Sequence, residues 1–175
     1  MESNLSQPRY TQELLLAFLA NNQIPYEYHS HPAVFTSEQA DLYTKDLDGF
    51  PAKNLFLTNS KGKRFYLVVT GADGQSAQKI NLKMLGMQLA ESRLRFASEE
   101  KMWQFLGITP GAVTPLGVIN DVEKKVEVVF FPEAWQAARI FCHPLENTAT
   151  LILDHEGLAR FFELTGHPPR ILAVD

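Results

Sequence analysis

Asn54-Leu55-Phe56-Leu57-Thr58, then Asn59-Ser60-Lys61-Gly62-Lys63, then Arg64-Phe65-Tyr66-Leu67-Val68-Val69-Thr70 decide the fold: two strand-like runs joined by a Gly-containing connection of hairpin length. Helix and strand signals mix on both sides of this hairpin. Before it, Leu14, Leu15, Phe18 and Leu19 share one face of a helix over Thr11–Asn21, which Pro25 forbids from continuing. Tyr26–His29 reads as a short strand, and Ser37–Tyr43 as a short helix with Ser37 as its N-cap and Glu38 in the first turn. After it, Gly71–Gly74 reads as a turn, Leu82–Ala90 as a helix and Leu94–Ala97 as a strand. Ser98 caps a helix over Glu99–Leu106, and Gly107 sits where the helix end wants a left-handed residue. Gly107–Gly117 holds three Gly and two Pro, so a structured irregular loop is expected there. Strands follow at Val126–Phe131, Ile140–His143 and Thr148–Leu153, with a short helix over Pro132–Ala138 and a last helix over Glu156–Thr165, ended by Gly166. Without regular βαβ alternation, repeats or an interdomain linker, the expectation is one α+β domain over residues 1–175, a mixed β-sheet core flanked by helices.

Composition narrows the function. The chain has 175 residues, 45% of them hydrophobic, and 16 Lys plus Arg against 20 Asp plus Glu give a net charge of −4, the profile of an ordinary globular domain with a substantial core. No apolar run approaches the ~18 residues of a membrane span, and Met1–Arg9 is too polar for a signal peptide, so a cytoplasmic protein with no membrane partner is expected. The acidic balance argues against coating nucleic acid by charge, yet leaves room for contact with one nucleic-acid end through Lys61, Lys63 and Arg64, or Lys79 and Lys83. The lone Cys142 forms no internal disulfide and reads as a buried, inert thiol. His29 and His31 alternate along a strand, but no third ligand adjoins them, so no metal is expected. Nucleotide-binding glycine motifs, the Gly-x-Ser-x-Gly elbow and His-Glu-x-x-His are all absent from the sequence, so dinucleotide, nucleoside-triphosphate and zinc-protease chemistry lose support.

Four segments stand out against this background: His31-Pro32-Ala33-Val34-Phe35-Thr36, Lys53-Asn54-Leu55-Phe56-Leu57, Gly111-Ala112-Val113-Thr114-Pro115 with Gly117-Val118-Ile119-Asn120-Asp121, and Phe141-Cys142-His143-Pro144-Leu145-Glu146-Asn147-Thr148. In this order they resemble the YbaK and prolyl-tRNA-synthetase editing-domain family, most closely its freestanding ProX branch. The resemblance runs from about His29 to about Pro168. It implies an α+β fold and hydrolysis of misacylated tRNA, with alanine cleared from proline tRNA and Cys or Ser/Thr esters as alternatives. It also implies that a ribose hydroxyl of the tRNA helps the attacking water, that no cofactor is used, and that the partner is the acceptor end of proline tRNA, with prolyl-tRNA synthetase a candidate second partner. A binding or regulatory module that keeps the fold without turnover is the reading from another class.

The residues fit that chemistry. An aminoacyl-tRNA is an activated ester, so hydrolysis needs a positioned water and donors aimed at the carbonyl oxygen as it gains charge. Gly111, Ala112, Val113, Thr114 and Pro115 make a stiff bend whose backbone N–H groups suit that task, each worth ~3 kcal/mol in the transition state. Lys53 matches the family's functional lysine and would favour a negative transition state, although most lysines at strand starts are simply solvated. Asn54 adds an amide contact, while Val34, Phe35, Phe56, Leu116, Val118 and His143 are candidate pocket walls. Asn120-Asp121 and His143-Pro144 match further family positions, which the resemblance implies shape the amino-acid pocket and hold loops by hydrogen bonds. His143 reads nearly as well as a satisfied core histidine.

Overall fold

The computed structural model describes residues 8–72 and 80–173. The hairpin is β2 (Ala52–Asn59) and β3 (Phe65–Gly71), paired antiparallel from Ala52↔Gly71 to Thr58↔Phe65. β4 (Leu94–Phe96) extends it antiparallel on one side; β5 (Val126–Phe130) and β8 (Arg170–Ile171) extend it in parallel on the other, giving a mixed sheet of order β4-β2-β3-β5-β8. The hairpin runs are continuously apolar because both faces are covered. Phe56, Phe65, Leu67 and Val69 pack with Val128 and Phe130 under α1 (Gln12–Asn21), α4 (Glu99–Leu106) and α6 (His155–Thr165). Leu55, Leu57, Tyr66 and Val68 face α3 (Leu82–Gln88) through Leu85 and Leu89.

A second, smaller sheet is antiparallel, in the order β1-β7-β6, from β1 (Glu27–Ser30), β6 (Arg139–Cys142) and β7 (Ala149–Asp154). One parallel bridge stitches it to the start of the hairpin: Phe50 N donates to Arg139 O (2.8 Å) and Phe141 N donates to Phe50 O (3.1 Å). Gly49 is obligatory beside this bridge, since a Cβ there would lie 2.3 Å from the Phe141 ring. The domain is thus α+β, with two linked sheets where the sequence led us to expect one.

Several local expectations shift. The helix α2 spans Ser37–Thr44 and its N-cap is Thr36, not Ser37, because the Thr36 hydroxyl accepts from Gln39 N (3.2 Å). The glycine- and proline-rich loop gives way at Pro115 to a 3-10 helix over Pro115–Asn120, Pro supplying a first-turn residue that needs no N–H. The helix after β5, α5, stops at Trp135 (Pro132–Trp135), short of Ala138. Within the expected Gly71–Gly74 turn, Gly71 closes β3, while Asp73 and Gly74, like the candidate cation Lys79, lie outside the described residues.

At the end of the 3-10 helix Asn120 ties α4 to the start of α1: its Oδ1 accepts from Tyr10 N (2.7 Å) and its Nδ2 donates to Leu106 O (3.0 Å). Asp121, 2% exposed, accepts from Lys125 N (3.0 Å), Val126 N (2.8 Å) and the buried His167 Nε2 (3.0 Å). Burial pushes the Asp121 pKa up, but the hydrogen bonds from His167, Val126 and Lys125 together hold it below the ordinary 3.8. Asp121→Asn should therefore cost about 3 kcal/mol in denaturant unfolding at pH 7. With a depressed folded pKa, the stabilisation is whole above pH 3.8 and is lost as pH falls through the folded value, so wild type and variant should converge in acid. A gap that stays constant with pH would refute the assignment.

Candidate functional site

The Phe50 bridge lays the end of β6 beside the start of β2, and the cleft opens there. Lys53 pairs with Thr70 at the hairpin end opposite the Gly62 turn, so its side chain stands at the sheet edge. From the far side, Asn147 clasps the segment before α2: its Nδ2 donates to Val34 O (2.7 Å) and its O accepts from Val34 N (3.2 Å). This clasp carries Val34 and Phe35 to the rim. Gly111 passes beneath with φ +89°, and a Cβ there would lie 3.3 Å from both Asn147 Nδ2 and Phe35 Cδ1, so the loop approaches this closely only as glycine.

The cleft encloses about 250 Å³. Of the residues singled out in the sequence, Val34, Phe35, Lys53, Asn54, Gly111, Val113 and His143 line it together. The others do not. Phe56, Leu116 and Val118 are 2%, 0% and 1% exposed and pack in the main core, one strand step or one helical turn inward. Asn120 and Asp121 are committed to the backbone contacts described above. Ala112 and Thr114 are buried at 2% and 0% and, with Pro115, support the loop from behind. Unforeseen are the wall of α2, through Thr36, Ala40 and Thr44, and Thr150 on β7. A lone Thr150 within the apolar run Ala149–Leu153, and a helix with no apolar stripe beside a family motif, were the available signals.

The loop's amides are not equivalent. Ala112 N is engaged by Thr109 O (3.1 Å), and Pro115 has no N–H. Gly111 N and Val113 N have no acceptor among the described residues, and both residues line the cleft. Asn54 fixes this geometry by donating from Nδ2 to Val113 O (3.2 Å), while its buried Oδ1 is left without a partner. Lys53 is exposed, and its ammonium joins no ion pair among the described residues.

His143 Nδ1 lies 3.1 Å from Ala149 O; a carbonyl only accepts, so Nδ1 carries the proton and Nε2 keeps its lone pair for a ligand. Burial, aided by the neighbouring His31, lowers the His143 pKa below the usual 6.5 against the opposing Ala149 bond, so the ring is neutral at pH 7. Cys142 also lines the cleft, but burial pushes its thiol up to about 12, which leaves it un-ionised and a poor nucleophile. His29 pairs with Glu27 (3.3 Å) and His31 with Thr150 Oγ1 (2.9 Å); among the described residues no group of three or more His, Cys, Asp and Glu could hold a metal ion. Among the described residues the cleft lining brings together two amides without acceptors, the Lys53 ammonium, one neutral imidazole and the Asp41 carboxyl of α2, and the first two kinds of group suit stabilising negative charge.

Comparison with known proteins agrees with this outline. The model of the aminoacyl-tRNA editing domain family matches residues 31–161. The prolyl-tRNA editing protein ProX of Acetoanaerobium sticklandii is 35% identical over 156 residues, covering 89% of this chain and 93% of that protein. The mouse (Mus musculus) prolyl-tRNA synthetase associated domain-containing protein 1 is 36% identical over 154 residues, covering 85% and 88%. A crystal structure of a hypothetical protein superposes with a TM-score of 0.68 at 13% identity, over 90% of this chain and 97% of that one, a likeness of fold alone.

The cleft's electrostatics can be checked directly. In an NMR titration the His143 imidazole should show a midpoint below 6.5, with the Nδ1-protonated tautomer dominating at neutral pH. A midpoint at or above 6.5 would mean the ring is solvated or faces an acid.

Proposed function

The chain belongs to the aminoacyl-tRNA editing domain family, and from that premise we propose that it is a trans-editing deacylase that removes alanine from mischarged proline tRNA, Lys53 and the Gly111–Pro115 loop supplying the catalysis. The observation that carries the reading is the meeting of three distant segments, the start of β2, the Gly111 loop and the end of β6, around one cleft. The names of the ProX and mouse relatives support proline tRNA as the partner. We infer the whole chain to act as a single editing domain.

The reaction runs on the ester's own activation. Water, positioned by the neighbouring ribose hydroxyl of the tRNA, adds to the ester carbonyl carbon, and the carbonyl oxygen takes on negative charge. Gly111 N–H and Val113 N–H donate to that oxygen, and the Lys53 ammonium stabilises it at short range. The intermediate collapses by breaking the carbon–oxygen bond to the ribose, which leaves with a proton, giving free alanine and uncharged tRNA. Each fixed donor is worth ~3 kcal/mol, or a hundredfold or more in rate, because it is already oriented before charge develops. Asn54 acts on the loop by holding the Val113 carbonyl away from the oxyanion, which would be repelled by it.

Size sets the selectivity. At about 250 Å³ the cleft is smaller than the ~300 Å³ at which drug-sized pockets begin, so it takes an aminoacyl group and little more. Selection by exclusion is what a second site must provide, since a synthetase gains only ~1–3 kcal/mol against a residue lacking one methylene. Val34 and His143, with Phe35 at the rim, are the lining residues we propose for rejecting the proline ring.

Incubation with proline tRNA carrying alanine, cysteine, serine, threonine or proline should release alanine fastest and spare proline. Release of cysteine or serine in its place would reassign the substrate, and no release from any of them would leave a binding module. Lys53→Ala should lower kcat/KM about a hundredfold or more with unfolding nearly unchanged, since the side chain is exposed; an unaltered rate would remove Lys53 from the mechanism.

A further inference from the structure

A second concavity, about 590 Å³, lies at the other end of the sheet, between the Gly62 end of the hairpin, the turn before β5 and the segment after α6. Lys63, Arg64, Lys124, Lys125 and Arg170 line it, with Glu127 the one acid among its lining residues. A chain with 16 Lys plus Arg against 20 Asp plus Glu has gathered five of its cations here. Three of them are already held: Arg64 by Glu91 (3.4 Å), Arg170 by Glu127 (3.5 Å) and Gln88 O (2.8 Å), and Lys124 by the Thr165 carbonyl at the end of α6. Lys63 and Lys125 are exposed, and their ammonium groups have no partner among the described residues.

The lysine turn is exposed but anchored to the core through Asp121 and His167. Lys124 sits at φ +56°, an unfavourable region for a side-chain-bearing residue. Asp121 maintains it by accepting from Lys125 N and Val126 N, and His167 locks Asp121 from below. The carboxylate read from the sequence as a pocket residue thus presents the cationic turn at the opposite end of the molecule.

We propose that this groove binds the phosphate backbone of the same tRNA inward of its acceptor end, an inference that rests on the deacylase reading of the cleft. β3 leads from the groove at Phe65 to the cleft at Gly71–Ala72, six residue steps and about 20 Å at ~3.3 Å per residue. That span exceeds the reach of the aminoacylated nucleotide itself, so the groove would meet the backbone inward of it. Lysine ammonium groups and two pinned guanidinium groups suit phosphate oxygens and read no sequence. On a chain of net charge −4, a localised positive surface also sets the direction of approach, because the rest of the molecule repels the same polyanion.

Binding of two probes tests this without turnover: uncharged proline tRNA and the 3′-terminal trinucleotide alone, each measured from 50 to 200 mM salt with the full chain. Lys63→Ala/Lys125→Ala should weaken tRNA binding about tenfold and reduce the log–log salt slope by about two. Trinucleotide affinity should stay the same, as should tRNA affinity in Lys83→Ala, an exposed lysine that the sequence also offered for nucleic-acid contact but that lies on α3 outside the groove. An unchanged slope in the double variant, an equal loss with Lys83→Ala, or an equal loss on the trinucleotide would each overturn the groove. The two readings fail separately. Wild-type protein that binds tRNA through this groove but hydrolyses no ester loses the deacylase assignment alone, whereas normal hydrolysis with an unchanged slope in the double variant loses the groove alone.

Discussion

The bridge between Phe50 and the Arg139–Phe141 strand is the constraint on which the cleft depends. It makes only a pair of backbone hydrogen bonds, yet it is the sole parallel contact between the start of β2 and β6 among the described residues. Ile140, Cys142, Leu151 and Leu153 of the small sheet share a core with Phe56 and Val69 of the hairpin, and the bridge fixes the backbone register between the two where His143 and Lys53 approach the cleft. Gly49 makes the bridge sterically possible, and the Phe141 ring that lies against it contributes to the cleft wall. A residue with no functional group of its own therefore helps set the distance between two segments that line the cleft.

The loop at Gly111 is preorganised by the same logic of close packing. Its left-handed glycine brings the chain beneath the Asn147 clasp, its Ala112 amide is consumed within the turn, and Asn54 captures the Val113 carbonyl. Each of these contacts removes a way for the loop to rearrange, and the amides of Gly111 and Val113, both residues that line the cleft, have no acceptor among the described residues. Donors held this way need no reorganisation when charge appears on a substrate oxygen, which distinguishes them from solvent. Asn54 also retains an unpartnered buried Oδ1 in the wall, the kind of unsatisfied group that native interiors rarely keep without a reason.

Much of this was legible in the sequence, and the exceptions have physical causes. The hairpin and most of the capped helices follow from local rules of periodicity, capping and turn chemistry, whereas the segments that meet at the cleft were marked out by their resemblance to the editing-domain family. The second sheet was hidden because β1, β6 and β7 are short and pair with partners distant in the chain, so nothing local separates them from the main sheet. Phe56, Leu116 and Val118 sit close in sequence to cleft residues, but alternation along the strand and the turn of the 3-10 helix carry them inward. Asn120 and Asp121 show a deeper limit. A polar residue following an apolar run looks the same in sequence whether it meets a ligand or satisfies backbone N–H groups, and only coordinates tell the two apart.

Placing the cationic groove and the reactive cleft at opposite ends of one strand also answers an energetic problem. A cleft of about 250 Å³ touches too little of a large substrate to hold it firmly, and tighter walls would work against release of the amino acid. Phosphate contacts some 20 Å away are the same in ground state and transition state, so they raise occupancy without altering the barrier. In the proposed reaction the Gly111 and Val113 amides do the reverse, gaining strength only as the carbonyl oxygen becomes negative. Separating the two lets each be adjusted alone: the lysine turn through Asp121 and His167, and the amide pair through Asn54 and Gly111. The rigid β3 strand between them, buried along its whole length, keeps the two in register.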